Sequence, residues 1–222
     1  MGSTADYDFS ASNEELLELC KRQDQEALRV LFRRHERPVY SLLFRMLSNH
    51  EDAEETLAEV FVKVWRAAVG FKGDAKFTTW LYRIAANTAR DRLRARQTRQ
   101  EVYLEDIVVD DSSLGEHGIS TTGDPEKCAI LADEKMRILR AMQEMNEEER
   151  LLVTLYHFQE CEYVEISQIT GIPAVNLKVR LFRARQRIRK LCAEYESEGG
   201  ADEVRIDSAE SAGLRQRAIE PV

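Results

Sequence analysis

Between Glu101 and Glu126 the chain carries eight acidic residues and neither lysine nor arginine, with Gly115, Gly118, Gly123, Ser112, Ser113 and Ser120 interspersed. A like-charged stretch with few recurring large apolar groups cannot bury enough surface to offset the entropy lost on ordering it. It reads as a flexible acidic linker that divides a 222-residue chain into two bodies, each able to bury its own core. The expected boundaries are a flexible N-terminus at 1–13, a first domain at 14–99, the linker at 100–123, a second domain at 124–195 and a polar tail at 196–222.

Both flanks of the linker carry apolar residues at helical spacing. Charged residues make up 32% and aromatics 8%, with four prolines and ten glycines, a balance that favours helices over sheet. The expected fold class is all-α, two small helical domains. No apolar run approaches the length needed to span a bilayer, and Met1 to Asn13 is polar and acidic with no signal-peptide core. The expectation is a cytoplasmic protein without membrane insertion.

In the first domain Ser12-Asn-Glu-Glu15 is a capping-box pattern, followed by Leu16, Leu19, Ala27, Leu31 and Phe32 at helical spacing. A second helix is expected from near Pro38 to Leu47. Asn49 caps a third, with Glu51 and Asp52 in its first turn and Ala53, Leu57, Val60, Phe61, Val64 and Trp65 as its buried stripe. After a loop at residues 70–77, Thr78 starts a fourth helix in which Phe77, Trp80, Leu81, Ile84 and Ala85 repeat at core spacing. Beside that stripe run Arg83, Asn87, Arg90 and Arg94. Aromatics next to a flexible loop and cations are the ingredients for holding unstacked bases of a single strand. For Phe77 and Trp80 the apolar spacing favours core packing instead.

In the second domain Asp124-Pro125 opens a helix running to about Met145, and Asn146 with Glu149 caps the next. Glu162 to Thr170 reads as a short helix with Val164, Ile166 and Ile169 as its apolar positions. Gly171 can take the positive φ that ends it, and Pro173 fixes φ for the start of its successor. This is a helix-turn-helix pattern. Its second helix falls in residues 173–190, which hold seven positive charges and no acid in a chain of formal net charge -8. On that helix Leu177, Leu181, Ala184, Ile188 and Leu191 share roughly 80° of arc, leaving Asn176, Val179, Arg180, Arg183 and Arg187 on the opposite side. Such a face suits the major groove of duplex DNA, where arginine pairs with guanine edges and asparagine with adenine.

Catalytic signatures are missing: there is no phosphate-cradling glycine loop, no nucleophile elbow and no H-E-x-x-H. Glu54, Glu55 and Glu59 lie on a helix exterior without a histidine or metal partner, so paired-carboxylate catalysis is not expected. Cys20, Cys128, Cys161 and Cys192 never form a C-x-x-C pair. His157 and Cys161, four apart, have no second pair nearby, and packing is the expected role for both. No metal, no cofactor and no enzymatic activity are expected.

The segment Asp52-Ala-Glu-Glu-Thr-Leu-Ala-Glu-Val-Phe-Val-Lys-Val-Trp-Arg66, followed by the run from Phe77 to Arg94, closely resembles region 2 of bacterial extracytoplasmic-function (ECF) sigma factors. Asn146 to Arg150 and Gly171 to Arg185 resemble their region 4. Together these cover most of residues 14–194 in the family's order and spacing. The resemblance implies that Asp52, Glu55, Glu59, Val62, Lys63 and Arg66 dock on the clamp helices of the RNA polymerase largest subunit. It implies that Phe71, Lys72, Lys76, Phe77, Arg83, Asn87, Arg90 and Arg94 capture melted bases of the -10 promoter element. It implies further that Val175, Asn176, Lys178, Val179, Arg180, Arg183 and Arg187 read the -35 element. The family's usual silencing partner is an anti-sigma factor. In several places the chain departs from the common pattern: Ala58 stands where glutamine is common, Glu160 and Glu162 where glycine and serine are frequent, and Asn176 and Val179 where hydroxyl residues are common.

The function expected is that of a transcription initiation factor: it binds core RNA polymerase, recognises the -35 and -10 elements and promotes strand opening on promoter DNA, duplex and single-stranded. The alternative is a stand-alone helix-turn-helix regulator that binds duplex operators without polymerase. A simple repressor has no need of the first domain's Trp/Arg helix and aromatic loop.

Overall fold

The computed structural model describes residues 11–102 and 137–199. Most of the acidic linker, the helix start at Asp124-Pro125, Cys128 and the tail from residue 200 lie outside them. The described elements are helical throughout: α1 (Asn13–Lys21), α2 (Gln25–Leu47), α3 (His50–Ala67) with a short 3-10 turn (Ala68–Gly70), α4 (Phe77–Val102), α5 (137–143), α6 (Glu147–Val153), α7 (Tyr163–Thr170) and α8 (Ala174–Gly199). Between α6 and α7 the chain passes through one π-helical turn, Thr154–Phe158.

Local chemistry sets most of the boundaries. Ser12 and Glu15 form the reciprocal capping box, with the Ser12 backbone N–H donating to Glu15 Oε2 at 2.7 Å and the Glu15 N–H to Ser12 Oγ at 3.2 Å. Asn49 accepts from the Asp52 N–H at 2.8 Å and Asn146 from the Glu149 N–H at 2.9 Å, which starts α3 and α6. Gly171 ends α7 at φ +76°, a backbone state that costs glycine nothing.

α2 departs from the sequence expectation. It begins at Gln25, capped by Asp24, and runs through Pro38 rather than starting there. An interior proline removes one ladder hydrogen bond and costs about 3 kcal/mol. Apolar burial on both sides of it, by Val30, Leu31, Val39, Leu42, Leu43 and Met46, outweighs that cost.

The two bodies do not keep separate cores. α4 packs directly on α7, and one buried cluster joins Leu81, Tyr82, Ala85 and Ala86 of the first body to Leu151, Leu155, Cys161, Ile166 and Ile169 of the second. A smaller cluster of Ala141, Met142, Met145, Val153, Ala184 and Leu191 belongs to the second body alone. Polar ties cross the same seam: Arg150 Nη1 donates to the Met46 carbonyl at 2.7 Å and Gln159 Nε2 to the Pro38 carbonyl at 3.1 Å. The Arg45 guanidinium lies 3.9 Å from the centre of the Phe158 ring. Among the described residues no helix is long and apolar enough to cross a membrane.

Candidate nucleic-acid interface

Two basic surfaces stand out, and the fold treats them differently. The first is built on α4, whose inner face is fixed by Phe77 and Leu81, both fully buried, and by Trp80, nearly so. Phe71 tilts onto Trp80 with ring centres 5.0 Å apart and is half-buried, so the loop aromatic and the helix are one packed unit. Phe77, placed by resemblance among the base-capturing residues, is corrected here. Its ring is enclosed against His35 and Trp80, so it offers no face to a base.

Arg83, Asn87 and Arg94 on the outer face of α4, and Lys72 in the loop before it, are exposed. Two other cations of the set are taken up by the second body. Lys76 Nζ lies 3.0 Å from Glu165 Oε1 on α7, and Arg90 Nε lies 2.8 Å from Glu147 Oε1 on α6. The bond from Glu165 and that carboxylate's charge raise the Lys76 ammonium above its ordinary value. Burial pushes the Glu165 carboxyl upward, but the Glu162 backbone N–H and Lys76 together hold it below the usual range. Neither acid was legible as a partner of the stripe, because each meets its cation from far along the chain, 89 and 57 residues away.

The second surface is α8. Leu177, Leu181, Ala184 and Leu191 are buried and Ile188 is half-buried, as the spacing requires. Val175, Asn176, Lys178, Val179 and Arg183 are exposed. Arg180 pairs with Glu148 and Arg187 approaches Glu149 at 3.9 Å, so both lean back toward α6 on the flank of the helix. The outermost positions are apolar instead: Val175 is 81% exposed, Val179 51% and Phe182 58%. Phe182 escaped the sequence reading because basic residues surround it.

Behind α8 the π-helical turn supports the helix. Arg185 donates from Nε to His157 Nε2 at 3.1 Å and stacks over Tyr156 at 4.6 Å. Burial, with Arg185 and Arg189 nearby, lowers the His157 pKa to about 4, which keeps the ring neutral and able to accept that bond.

The α3 residues that the resemblance assigns to polymerase docking are partly engaged within the chain. Arg92 holds Asp52 at 2.7 Å and also pairs with Glu55, while Lys63 pairs with Glu59 at 2.8 Å and bonds Thr88 at 3.1 Å. Val62 and Arg66 face solvent. Leu28, Phe32 and Phe61 line a shallow apolar groove flanked by Arg29 and Arg33. Among the described residues no group of three or more His, Cys, Asp or Glu could hold a metal ion.

Comparison with known proteins gives these surfaces a common origin. Residues 31–99 match the family model Sigma-70 region 2, and residues 135–188 match Sigma-70, region 4. The chain is 30% identical over 180 residues to the RNA polymerase sigma-H factor of Pseudomonas aeruginosa, covering 80% of this chain and 92% of that protein. It is 31% identical over 173 residues to the ECF RNA polymerase sigma-E factor of Escherichia coli, covering 78% and 90%. Among solved structures, CnrH in complex with the cytosolic domain of CnrY shares the fold at a TM-score of 0.59 and 19% identity, covering 82% of this chain and 97% of that one. The sigma factor RpoE in complex with the anti-sigma factor NepR from Bartonella quintana does so at 0.56 and 18%, covering 70% and 89%. With both sigma regions present in order and nearly the whole length of its curated relatives spanned, the chain belongs to the ECF family of RNA polymerase sigma factors.

Proposed function

We propose that this chain is a promoter-selecting initiation factor that binds core RNA polymerase, reads a -35 element with α8 and holds melted -10 bases against α4. The observation that carries the reading is the pairing of two unlike basic surfaces on the two matched regions. One is a groove-sized helix of cations and apolar tips; the other is a cationic stripe beside an aromatic loop. A duplex-only regulator leaves the second unexplained. The polymerase supplies the nucleotidyl-transfer chemistry, and this chain supplies binding and strand capture, acting in the cytoplasm where the polymerase is.

Residues 14–99 and 124–195 are the two working units in this reading. Val62, Arg66 and the Leu28-Phe32-Phe61 groove form the exposed part of the polymerase-docking face. In the free chain Glu165 and Glu147 occupy Lys76 and Arg90. Docking on polymerase would part α7 from α4 and free Lys76 and Arg90, completing a set of which Lys72, Arg83, Asn87 and Arg94 are already exposed. An anti-sigma factor is the partner that would hold the silent state, in line with the CnrY and NepR complexes of the two solved relatives.

The test is transcription in vitro with purified core polymerase on fragmented genomic DNA, with and without this chain, with permanganate mapping of melted thymines. Specific transcripts and permanganate-reactive sites that depend on the chain are the expected result. Failure to associate with core polymerase at modest salt, while the chain still binds duplex targets alone, would overturn the reading and favour an operator-binding regulator.

A further inference from the structure

Among the described residues, the three outermost apolar residues of α8 belong to neither core cluster. Val175, Val179 and Phe182 follow i, i+4 and i+7, so on a helix of 3.6 residues per turn they share roughly 60° of arc, centred opposite the buried Leu177-Leu181-Ala184 stripe. They span about 10 Å of helix axis, the rise of about three base pairs. Lys178 and Arg189 flank them on one side, and Asn176, Arg180 and Arg183 on the other. No acid lies between Pro173 and Lys190.

An apolar ridge between two cationic borders is a poor seat for another protein's apolar helix, which would bring no charge to answer the borders. Duplex DNA answers both parts at once. Phosphates line the two edges of the major groove at the width of a helix, and the apolar group on its floor is the thymine C5 methyl. Resting on the initiation-factor reading above, we infer that Val175, Val179 and Phe182 read thymine methyl groups within three or four consecutive base pairs of the -35 element. Val179, one turn into the recognition helix, sits at the centre of the ridge. The arginines fix the helix in the groove, and the ridge selects for thymine where a hydrogen-bonding side chain would select for a different base edge.

Deoxyuridine is the probe. It keeps the pairing and the O4 acceptor of thymine and lacks only the methyl. Duplexes are first selected from a randomised -35 library by the holoenzyme, and each selected thymine is then replaced in turn by deoxyuridine. At one or more positions the replacement should weaken holoenzyme binding about fourfold, the ratio equivalent to about 0.8 kcal/mol for one buried methyl-sized group. In Val179→Ala, whose exposed site leaves folding intact, the thymine and deoxyuridine duplexes should bind equally at one of those positions, with Val175→Ala and Phe182→Ala doing the same at its neighbours. Equal binding of both duplexes by the unaltered chain, or a methyl penalty that survives all three substitutions, overturns the inference alone. So does a Val179→Ala chain that loses polymerase association while its methyl penalty persists, since the ridge would then be a protein contact. A holoenzyme that selects no duplex at all overturns the inference together with the function on which it rests.

Discussion

The α8 surface and the α4 surface are both cationic, yet the α8 cations pair only within their own body while two of the α4 set are bonded to acids of the other body. Arg183, Lys178 and the valines of α8 stand in solvent, whereas Lys76 and Arg90 of the α4 set are each bonded to an acid of the other body. On the proposed function, the difference follows from what each surface binds. Duplex is always available, and a helix that reads it can stay exposed. Single-stranded bases exist only after melting, and a surface for them left open would collect any stray anion. On the proposed function, Glu147 and Glu165 would stand there in place of the strand.

A second contrast lies beneath the charges. The α4 surface depends on an aromatic core, because Phe71 packs on Trp80 and Trp80 on Phe77. Among the described residues, the outer ridge of α8 belongs to neither core cluster. The largest effect should therefore be that Trp80→Ala destabilises the chain by about 3–5 kcal/mol in urea unfolding, against less than about 0.5 kcal/mol for Val179→Ala. Similar costs for the two would erase the contrast.

Next in size is duplex recognition. Arg183 makes no ion pair among the described residues, while Arg180 is held by Glu148. Arg183→Ala should cost about 1–3 kcal/mol in promoter binding if it reads a base edge, and Arg180→Ala less. The reverse ranking in a holoenzyme binding titration would show that Arg180 leaves Glu148 to do the reading.

Smaller again is the closure itself. Exposed ion pairs are weak and screened, so Glu147→Gln with Glu165→Gln should raise the free chain's affinity for a single-stranded -10 oligonucleotide by only about threefold to tenfold. Duplex affinity should not change. Equal gains for both substrates would mean that the acids repel DNA generally rather than cover one surface.

The smallest effect concerns pH. His157 has its folded pKa lowered to about 4 from an ordinary 6.5, so between those values the unfolded chain binds the proton and the folded one does not. Stability from this residue is complete above about pH 6.5 and is lost as pH falls toward 4. Thermal melts of His157→Gln should flatten that slope, and an unchanged slope would assign it to other groups.

Local chemistry was legible in the sequence; long-range pairing was not. Ser12, Asn49, Asn146 and Gly171 each act within a few residues of themselves, and their caps and turns stand where residue type alone placed them. Pro38 misled because its cost is local while its compensation comes from α2 burial along both halves of the helix. The sequence also showed a basic stripe on α4 but not its occupants. A carboxylate on α7 that meets Lys76 and a shared core between the bodies depend on how the halves dock, and no periodicity records that. Phe182 stayed hidden for a simpler reason: a ring among arginines reads as filler until its exposure is seen.

The closure of the free chain and its release on polymerase can be tested by zero-length carbodiimide coupling, which joins an amine to a carboxylate only in direct contact. Lys76 and Glu165, 3.0 Å apart, are such a pair. Mass spectrometry should find the Lys76–Glu165 link in the free chain and lose it once core polymerase and promoter are added. A link equally abundant in the transcribing complex, or never formed in the free chain, would contradict the account.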